Sequence, residues 1–346
     1  MKLSKTIVAL GLIVAVTWAG SSDAQIRKAG ITGAAFLKIA VGARATALGS
    51  AYTTVPDDVN QMFWNPAGIA LSQGATQVAY TYNDWIAGLA HHAFGVAHDF
   101  GDLGTFGFGL INLSLSDIAS DRDVIPAFLD ATYTGFRDTG TGNYDYSDMA
   151  LQITWARKFT DKLALGLTGK LIRQDIDDET ANALALDAGA IYLIGYKGAR
   201  VGARLNNLGN DLEFFRIGAP LPLVFSVGAA IEIWEDPDQR YKVTILSDAT
   251  KPQDGEQLLF SAAEVQILDH LTLRGGYKFN YSGVDDDKID EITGNSVSAP
   301  RTEEGITLGA GFNFPLASYN TTLDYAFTDF GILNNVHRFS LRINFD

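Results

Sequence analysis

Apolar and polar residues alternate over long stretches of this chain, and the last stretch shows the pattern most clearly. Between Arg338 and Phe345, phenylalanine, leucine and isoleucine occupy one face, while arginine, serine and asparagine occupy the other. Strict alternation predicts a β-strand with one apolar and one polar face. The same pattern recurs in 162–174, 270–281, 304–314 and 319–328.

About fourteen segments of this kind follow one another, and most are longer than the five or six residues of an average soluble strand. A tilted membrane-spanning strand needs about 9–11 residues. The sequence therefore predicts an all-β fold, a 14-stranded antiparallel transmembrane β-barrel. The alternative is a soluble all-β protein with unusually long strands. The predicted strands are 76–84, 89–100, 104–115, 144–159, 162–174, 183–195, 199–206, 222–233, 239–247, 256–267, 270–281, 304–314, 319–328 and 336–345.

The predicted connections alternate in length. Short ones fall at 101–103, 160–161, 196–198, 235–238, 269 and 315–318, and longer ones at 116–143, 175–182, 207–221, 248–255, 282–303 and 329–335. A short connection at 84–88 is the exception. Outer-membrane barrels have short periplasmic turns and longer outer loops. We therefore expect the protein to lie in the outer membrane of a Gram-negative-type bacterium, with both termini in the periplasm.

Charged residues interrupt the polar faces of the predicted strands. Charge on the lipid face costs about 2–4 kcal/mol at mid-depth, whereas the lumen tolerates it. If the apolar faces meet lipid, the charged side chains point inward. The lumen-facing charges predicted in this way are Lys170, Arg204, Arg274, Lys278, Asp324, Arg338 and Arg342.

The chain before the first strand has a different composition. Residues 1–24 combine two lysines, a short apolar run and a small-residue cleavage site, which predicts a secretory signal peptide; an N-terminal membrane anchor is the alternative. Residues 25–75 are rich in alanine and predict short helices, with 76–346 forming the barrel. Because strand side chains cannot fill so wide a lumen, we expect 25–75 to plug it or to cap its mouth. A small periplasmic helical extension is the alternative.

Motifs in four separate places resemble the PorV/PorQ family, which is related to FadL-type fourteen-stranded barrels. They comprise 33–44 with 56–58, the run Phe-Trp-Asn-Pro-Ala-Gly at 63–68, the segments 206–209 and 220–223, and the last hairpin at 324–331 and 335–341. One departure is Asp346, which follows the aromatic residue that commonly ends the family's last strand. The hatch motif that the resemblance assigns consists of Arg44, Asp57, Asp58, Trp64, Asn65, Pro66 and Gly68.

The resemblance implies two functions. PorV-like members accept secreted cargo from a type IX translocon and deliver it to the cell surface, whereas FadL-like barrels take up hydrophobic molecules through a lateral opening. We expect the first function, acting through partner contacts, with a transporter for hydrophobic small molecules as the alternative. Apolar residues in two predicted outer loops are the candidate partner-contact positions: Ile125, Phe128, Leu129, Tyr133, Phe136, Phe214 and Phe215.

Composition narrows the remaining classes of function. The formal net charge of −14 argues against nucleic-acid binding, which needs basic surfaces. Without cysteine there is no thiol nucleophile or cysteine-ligated metal. No Gly-x-Ser-x-Gly elbow or phosphate loop occurs, so we expect neither an enzyme nor a cofactor. The acidic run Asp285–Asp287 is interpreted as a solvated loop, with calcium binding as the alternative.

Overall fold

The computed structural model describes most of the chain beyond its N-terminus. The described residues are 31–72, 74–119, 143–214, 216–236, 240–255, 257–268, 270–281, 288–289, 296–297, 305–317, 319–330, 333 and 335–345. The predicted signal peptide and the acidic run 285–287 lie outside them. So do six of the predicted partner-contact residues, namely Ile125, Phe128, Leu129, Tyr133, Phe136 and Phe215.

Fourteen antiparallel strands form a closed barrel, in which the first strand pairs with the last. The predicted fold class is therefore confirmed. The strands are β1 Thr76–Asp84, β2 Ala90–Asp99, β3 Thr105–Ala119, β4 Asn143–Lys158, β5 Leu163–Ile176, β6 Glu179–Leu193, β7 Arg200–Gly209, β8 Val224–Glu235, β9 Tyr241–Pro252, β10 Gln257–Ile267, β11 Leu271–Tyr281, β12 Ile306–Leu316, β13 Tyr319–Asp329 and β14 Asn335–Phe345.

Burial alternates along most strands, as the sequence pattern predicts. Most buried positions are small or polar and face the lumen, while many large apolar side chains stand exposed on the outside. An exposed apolar belt on a closed barrel is the architecture of an outer-membrane protein. Examples of the outward residues are Tyr82, Phe94, Phe108, Ile153, Leu167, Leu184, Leu186, Leu273, Phe312 and Phe339.

We call the end of the barrel where β14 finishes the turn end, and the opposite end the loop end. Two predicted connections at the loop end are wrong in length. The sequence places a longer one at 248–255, but β9 runs to Pro252 and β10 begins at Gln257. The sequence places a long loop at 175–182, but β5 runs to Ile176 and β6 begins at Glu179, so that a tight turn joins them. Polar side chains occupy both faces of the hairpin there, which hides the alternation on which the prediction depends.

Two small elements lie outside the barrel wall. Residues Leu212–Phe214 and Ile217–Ala219 form a two-stranded ribbon between β7 and β8, and 288–289 pairs with 296–297 between β11 and β12. No helix in the described part of the chain is long and apolar enough to cross a membrane.

Residues 31–72 fold into the lumen as a plug, as one of the two sequence interpretations predicts. The plug contains the α-helix α1 (Ala43–Ala47) and three 3₁₀ turns, at Ala35–Lys38, Val59–Phe63 and Pro66–Leu71. Most of its apolar side chains are enclosed by the wall, as Tyr52 and Met62 illustrate with 0% exposure. The plug therefore supplies the packing that the strands of so wide a barrel lack.

The plug lies so close to the wall that glycine is required at several inward positions of the strands. At Gly166 on β5, an added Cβ would lie 2.4 Å from the backbone carbon of Pro66. At Gly169 on the same strand, an added Cβ would meet nothing within 4 Å. The two glycines thus differ in what a methyl group would contact.

We expect Gly166→Ala to destabilise the plugged barrel and Gly169→Ala to leave it unchanged. Overpacking of this kind costs about 1–3 kcal/mol. The measurement is the temperature at which the purified barrel loses its compact migration in SDS gel electrophoresis. Equal temperatures for the two variants would contradict the close packing of the plug against β5.

Candidate functional site

Asp58 is the charged centre of the plug, with 1% exposure. Its carboxylate accepts hydrogen bonds from the Tyr52 hydroxyl at 2.5 Å and from the Asn60 backbone N–H at 2.9 Å. The guanidinium of Arg342 on β14 lies 3.1 Å away, and that of Arg44 lies 3.9 Å away. Burial alone would raise the pKa of Asp58, but the two arginines hold it below its ordinary value. The carboxylate is therefore charged at neutral pH.

A row of alternating charges runs from the plug into the wall. Arg44 donates from Nε and Nη2 to the two carboxylate oxygens of Glu264 on β10, at 3.0 and 2.9 Å. Arg274 on β11 donates to the same carboxylate at 2.7 Å and to Asp324 on β13 at 2.6 Å. Two-point arginine–carboxylate pairing is a strong geometry, and it offsets the desolvation of the buried charges. The row joins the plug to three strands.

Asn65 connects two parts of the plug with the wall. Its Nδ2 donates to the carbonyl of Thr53 at 2.8 Å and to the carbonyl of Ala190 on β6 at 3.2 Å. Its Oδ1 accepts from the Ala67 N–H at 3.2 Å and so caps the following 3₁₀ turn. An asparagine is suited to this position because its amide both donates and accepts.

The other members of the hatch motif have mainly conformational roles. Pro66 occupies the first position of its 3₁₀ turn, where its missing N–H costs nothing. A Cβ at Gly68 would lie 2.6 Å from Cγ of Gln61, so that a larger residue would displace the neighbouring turn. Asp57 has a φ of +57°, and its carbonyl accepts a hydrogen bond from Arg342 at 2.7 Å.

Trp64 lies in the middle of the plug and has a partner on each side. Its indole N–H donates to the carbonyl of Val41 at 2.9 Å, and its ring meets that of Tyr52 edge-on at 5.6 Å. The guanidinium of Arg204 on β7 lies 5.1 Å from the ring centroid and also donates to the Thr53 hydroxyl at 3.1 Å. The predicted lumen charge Arg204 therefore holds the plug by a cation–π contact and a hydrogen bond.

Lys170 belongs to a second polar cluster, inside the wall at β5–β7. Its ammonium group lies 2.7 Å from the Asp187 carboxylate and donates to Oδ1 of Asn207 at 2.8 Å. Asp187 also accepts from the Asn207 backbone N–H at 2.7 Å and from Nδ2 of Asn206 at 2.9 Å. Side chains therefore satisfy backbone groups here that a regular ladder of hydrogen bonds would have paired.

The barrel wall is irregular at the level of this polar cluster. The pairing of β6 with β7 shifts between Leu186 and Ala188, and Asn207 has a φ of +64°. On the outer surface beside this break lies a concavity of about 760 Å³. Its lining is almost entirely apolar and includes Phe108, Leu151, Ile153, Gly169, Leu171, Leu184, Leu186 and Leu208.

The last two predicted lumen charges lie near the loop end, on the opposite side of the barrel. Arg338 on β14 donates to the hydroxyl of Thr46 in α1, and its guanidinium lies 5.9 Å from the ring of Trp85. The ammonium of Lys278 on β11 lies 5.6 Å from the ring of Phe260. Both side chains line a small cavity of about 10 Å³ between the plug and the wall, with room for about one water.

Phe214 is the one predicted partner-contact residue within the described part of the chain. It is half-buried in the ribbon and packs on an apolar cluster that includes Phe36 and Leu212. That cluster joins the N-terminal part of the plug to the inner face of the wall.

Sequence reasoning missed the acidic residues on the strands that hold the plug. Glu264 pairs with Arg44, and Asp248 on β9 accepts from the backbone N–H groups of Tyr52 and Thr53, both at 2.8 Å. Asp187 was missed in the same way. Each lies on the polar face of a strand, so alternation could have assigned it to the lumen, as it did Asp324.

Comparison with known proteins finds solved outer-membrane barrels of the same fold. No protein-family model matches the chain, and no curated protein matches its sequence. The Pseudomonas putida toluene transporter TodX matches with a TM-score of 0.53 and 14% identity, over 87% of this chain and 96% of that one. A Pseudomonas aeruginosa FadL homologue matches with a TM-score of 0.53 and 11% identity, over 87% and 97%.

A third solved structure extends the comparison. The Ralstonia pickettii toluene transporter TbuX matches with a TM-score of 0.50 and 13% identity, over 87% of this chain and 96% of that one. At these identities the matches show a shared fold. The chain therefore has the fold of these barrels, while membership of the PorV/PorQ family stays a prediction.

We expect Glu264→Gln to weaken the plug strongly, because it leaves Arg44 and Arg274 buried without their common counter-charge. Breaking a buried ion pair costs about 3–5 kcal/mol. The matched control is Asp175→Asn, which removes the partner of Arg173 in an exposed pair. Such pairs contribute about 0–1 kcal/mol.

The measurement is the urea concentration at which the plug becomes accessible to a maleimide. A single cysteine at Met62 in the plug suffices, since the chain has no native cysteine. Similar urea concentrations for Glu264→Gln and Asp175→Asn would show that the charge row does not hold the plug.

Proposed function

We propose that this chain is an outer-membrane channel that takes up hydrophobic small molecules. The observation that carries the proposal is the apolar concavity on the lipid face, beside the break in the β6–β7 ladder. A hydrophobic solute gains about 0.8 kcal/mol for each methylene group that it removes from water. It therefore favours a route through the wall into the membrane over one through the turn end into the aqueous periplasm.

The polar cluster behind the break is suited to a seam between β6 and β7 that can open. Lys170, Asp187, Asn206 and Asn207 satisfy one another through side chains and one backbone N–H. Hydrogen bonds to water or to another side chain can replace these side-chain contacts more readily than they can replace a continuous backbone ladder. The solved barrels of similar fold bear the names of toluene transporters, and a neutral aromatic compound is accordingly the substrate class that we infer here.

The plug determines when the channel is open. It fills the lumen and is attached to the wall through Asp58, Arg44 and Asn65. Passage of a solute therefore requires part of the plug to move, while the ion pairs hold the rest in place. We further infer that the turn end, where β14 finishes, faces the periplasm, because the described connections there are short. The periplasmic position of the N-terminus stays a prediction.

A disulfide across the seam should block uptake. Leu186 and Leu208 are directly paired on the outer face, next to the register shift. We expect the double variant Leu186→Cys/Leu208→Cys, when oxidised, to reduce uptake to the level of cells without the protein, and reduction to restore it. The measurement is the rate at which N-phenyl-1-naphthylamine becomes fluorescent in intact cells.

A matched pair elsewhere in the wall provides the control. Tyr325 and Phe339 are paired across the regular β13–β14 ladder. Tyr325→Cys/Phe339→Cys should take up the dye equally well when oxidised and when reduced. Unchanged uptake by the oxidised Leu186/Leu208 variant would overturn the lateral route.

A second candidate function is delivery of secreted proteins through a type IX-like translocon. Its support is the resemblance of the sequence motifs, together with a plug held by buried ion pairs, which suits a barrel that works through partners and keeps its lumen closed. The surface that would bind a partner falls largely in 120–142, outside the described residues.

A tagged pull-down from native outer membrane in mild detergent separates the two functions. For the secretion role we expect a large translocon subunit, or exported proteins that share one C-terminal domain, in the mass spectrum. Recovery of the barrel with bound small molecules and no such protein would count against that role and favour the channel.

A further inference from the structure

An outward-facing patch of tyrosine and histidine lies where the first strands of the barrel meet the last, near the loop end. Its members come from the four neighbouring strands β13, β14, β1 and β2. The Tyr80 hydroxyl on β1 lies 2.8 Å from Nδ1 of His92 on β2. The Tyr325 hydroxyl on β13 lies 2.8 Å from Nδ1 of His337 on β14. We call these four residues the tyrosine–histidine patch.

The two tyrosine–histidine pairs are built in the same way. Each histidine is paired directly with one aromatic residue of the next strand and reaches the tyrosine two positions further along that strand. The direct partner of His92 is Tyr82, with ring centroids 5.3 Å apart, and that of His337 is Phe327, at 5.7 Å. Each imidazole thus lies between two aromatic rings. Neither Nε2 atom has a hydrogen-bond partner in the described part of the chain.

The patch lies at the loop-end edge of the apolar belt. Directly paired residues form rows across the outer face of β2–β6, and one such row is entirely apolar: Phe94, Leu110, Leu151, Leu171 and Leu184. The next row towards the loop end consists of His92, Asn112, Met149, Arg173 and Asn182. A change from apolar to polar and aromatic residues marks the level of the lipid head groups. His92 lies at that level, and His337 lies one row further out, opposite the exposed Asp84.

The wall leaves the patch open to a head group. At the loop end, β2 begins at Ala90, opposite Ser114, whereas β3 continues to Ala119. Similarly, β14 begins at Asn335, two positions before His337. The strands that carry the patch thus end close to it, and the His337 side chain is exposed. A lipid head group can therefore approach the imidazoles from the membrane side.

The pairing with tyrosine determines what each imidazole offers to the lipid. When the hydroxyl donates to Nδ1, the ring proton resides on Nε2, which then presents an N–H donor away from the tyrosine. An unsatisfied polar group on a lipid-facing surface is costly. Among the groups of a lipid head, a phosphate is the strongest acceptor, because its hydrogen bonds are charge-assisted.

We propose that His92 and His337 bind phosphate groups of outer-leaflet lipid through their Nε2–H donors. Tyr80 and Tyr325 are positioning residues, since their hydroxyls orient the two rings. The acyl chains of the lipid lie against the apolar row below the patch. The leaflet follows from the orientation proposed above, in which the turn end faces the periplasm. The binding site itself does not depend on the channel function.

The test is native mass spectrometry of the purified full-length barrel, titrated with lipid in a non-ionic detergent. The probes are diphosphorylated lipid A, diacylglycerol, which has acyl chains and no phosphate, and inorganic phosphate, which has no chains. We expect lipid A to bind saturably and at least about tenfold more tightly than either of the other two, because hydrogen bonds to a charged group add to the contact of the chains.

Two double variants test the assignment to the patch. His92→Phe/His337→Phe keeps two aromatic rings but removes both N–H donors, so it should weaken lipid A binding by about tenfold and leave diacylglycerol binding unchanged. Tyr80→Phe/Tyr325→Phe removes only the hydroxyls and should also weaken binding of lipid A but not of diacylglycerol. The tyrosine variant decides the question if the histidine variant fails to fold.

The matched control is a histidine at the opposite end of the barrel. Nδ1 of His98 on β2 lies 2.6 Å from the Thr76 hydroxyl, near the turn end. His98→Phe therefore removes a similarly paired imidazole from the other membrane interface, and it should bind lipid A as the unmodified protein does.

Several results would overturn the proposal. Equal binding of lipid A and diacylglycerol would mean that the apolar belt alone holds lipid, and equally tight binding of inorganic phosphate would mean a site for the free anion. Equal binding of lipid A by His92→Phe/His337→Phe and His98→Phe would exclude the patch. Dye uptake by intact cells is measured separately, so a failed channel function leaves the lipid titration interpretable, and the reverse also holds.

Discussion

The structure depends on the compensation of charges that are buried between the plug and the wall. Glu264 lies between Arg44 and Arg274, and Asp58 lies between Arg44 and Arg342. The two carboxylates would be costly to keep ionised in the enclosed lumen without the arginines beside them. Because the partners come from the plug and from three separate strands, the same interactions that neutralise the charges also position the plug. A wide barrel with a solid interior is the result.

The sequence predicts the barrel and the plug well, because both leave local signals. Alternation marks most strands, and the Asn-Pro-Ala-Gly run marks a turn in the plug. The ends of the strands are less predictable where both faces become polar, as at Arg173 to Asp175 on β5. The partners of the lumen charges are not predictable from a local pattern. Arg44 and Glu264 are separated by 220 positions, and only closure of the barrel brings them together.

The wall meets two opposing requirements. A membrane barrel has to satisfy every backbone group internally, since lipid offers no hydrogen bonds. A lateral route needs an interruption in the same ladder. At β6–β7 the carboxylate of Asp187 accepts a hydrogen bond from the backbone N–H of Asn207. This N–H is therefore satisfied although the ladder is interrupted there. A side chain thus replaces a strand partner at one point, while the regular ladder continues on both sides.

The attachment of α1 has a consequence for assembly. The backbone N–H of Ala43 donates to the hydroxyl of Ser340 at 2.8 Å, across 297 positions of the chain. Because Ser340 belongs to the last strand, this bond forms only when the C-terminal segment has arrived. The plug is synthesised before the strands, yet this attachment has to wait for the last of them. Export and membrane insertion of this chain therefore involve a long interval in which an alanine-rich segment, already made, awaits the pairing of β1 with β14.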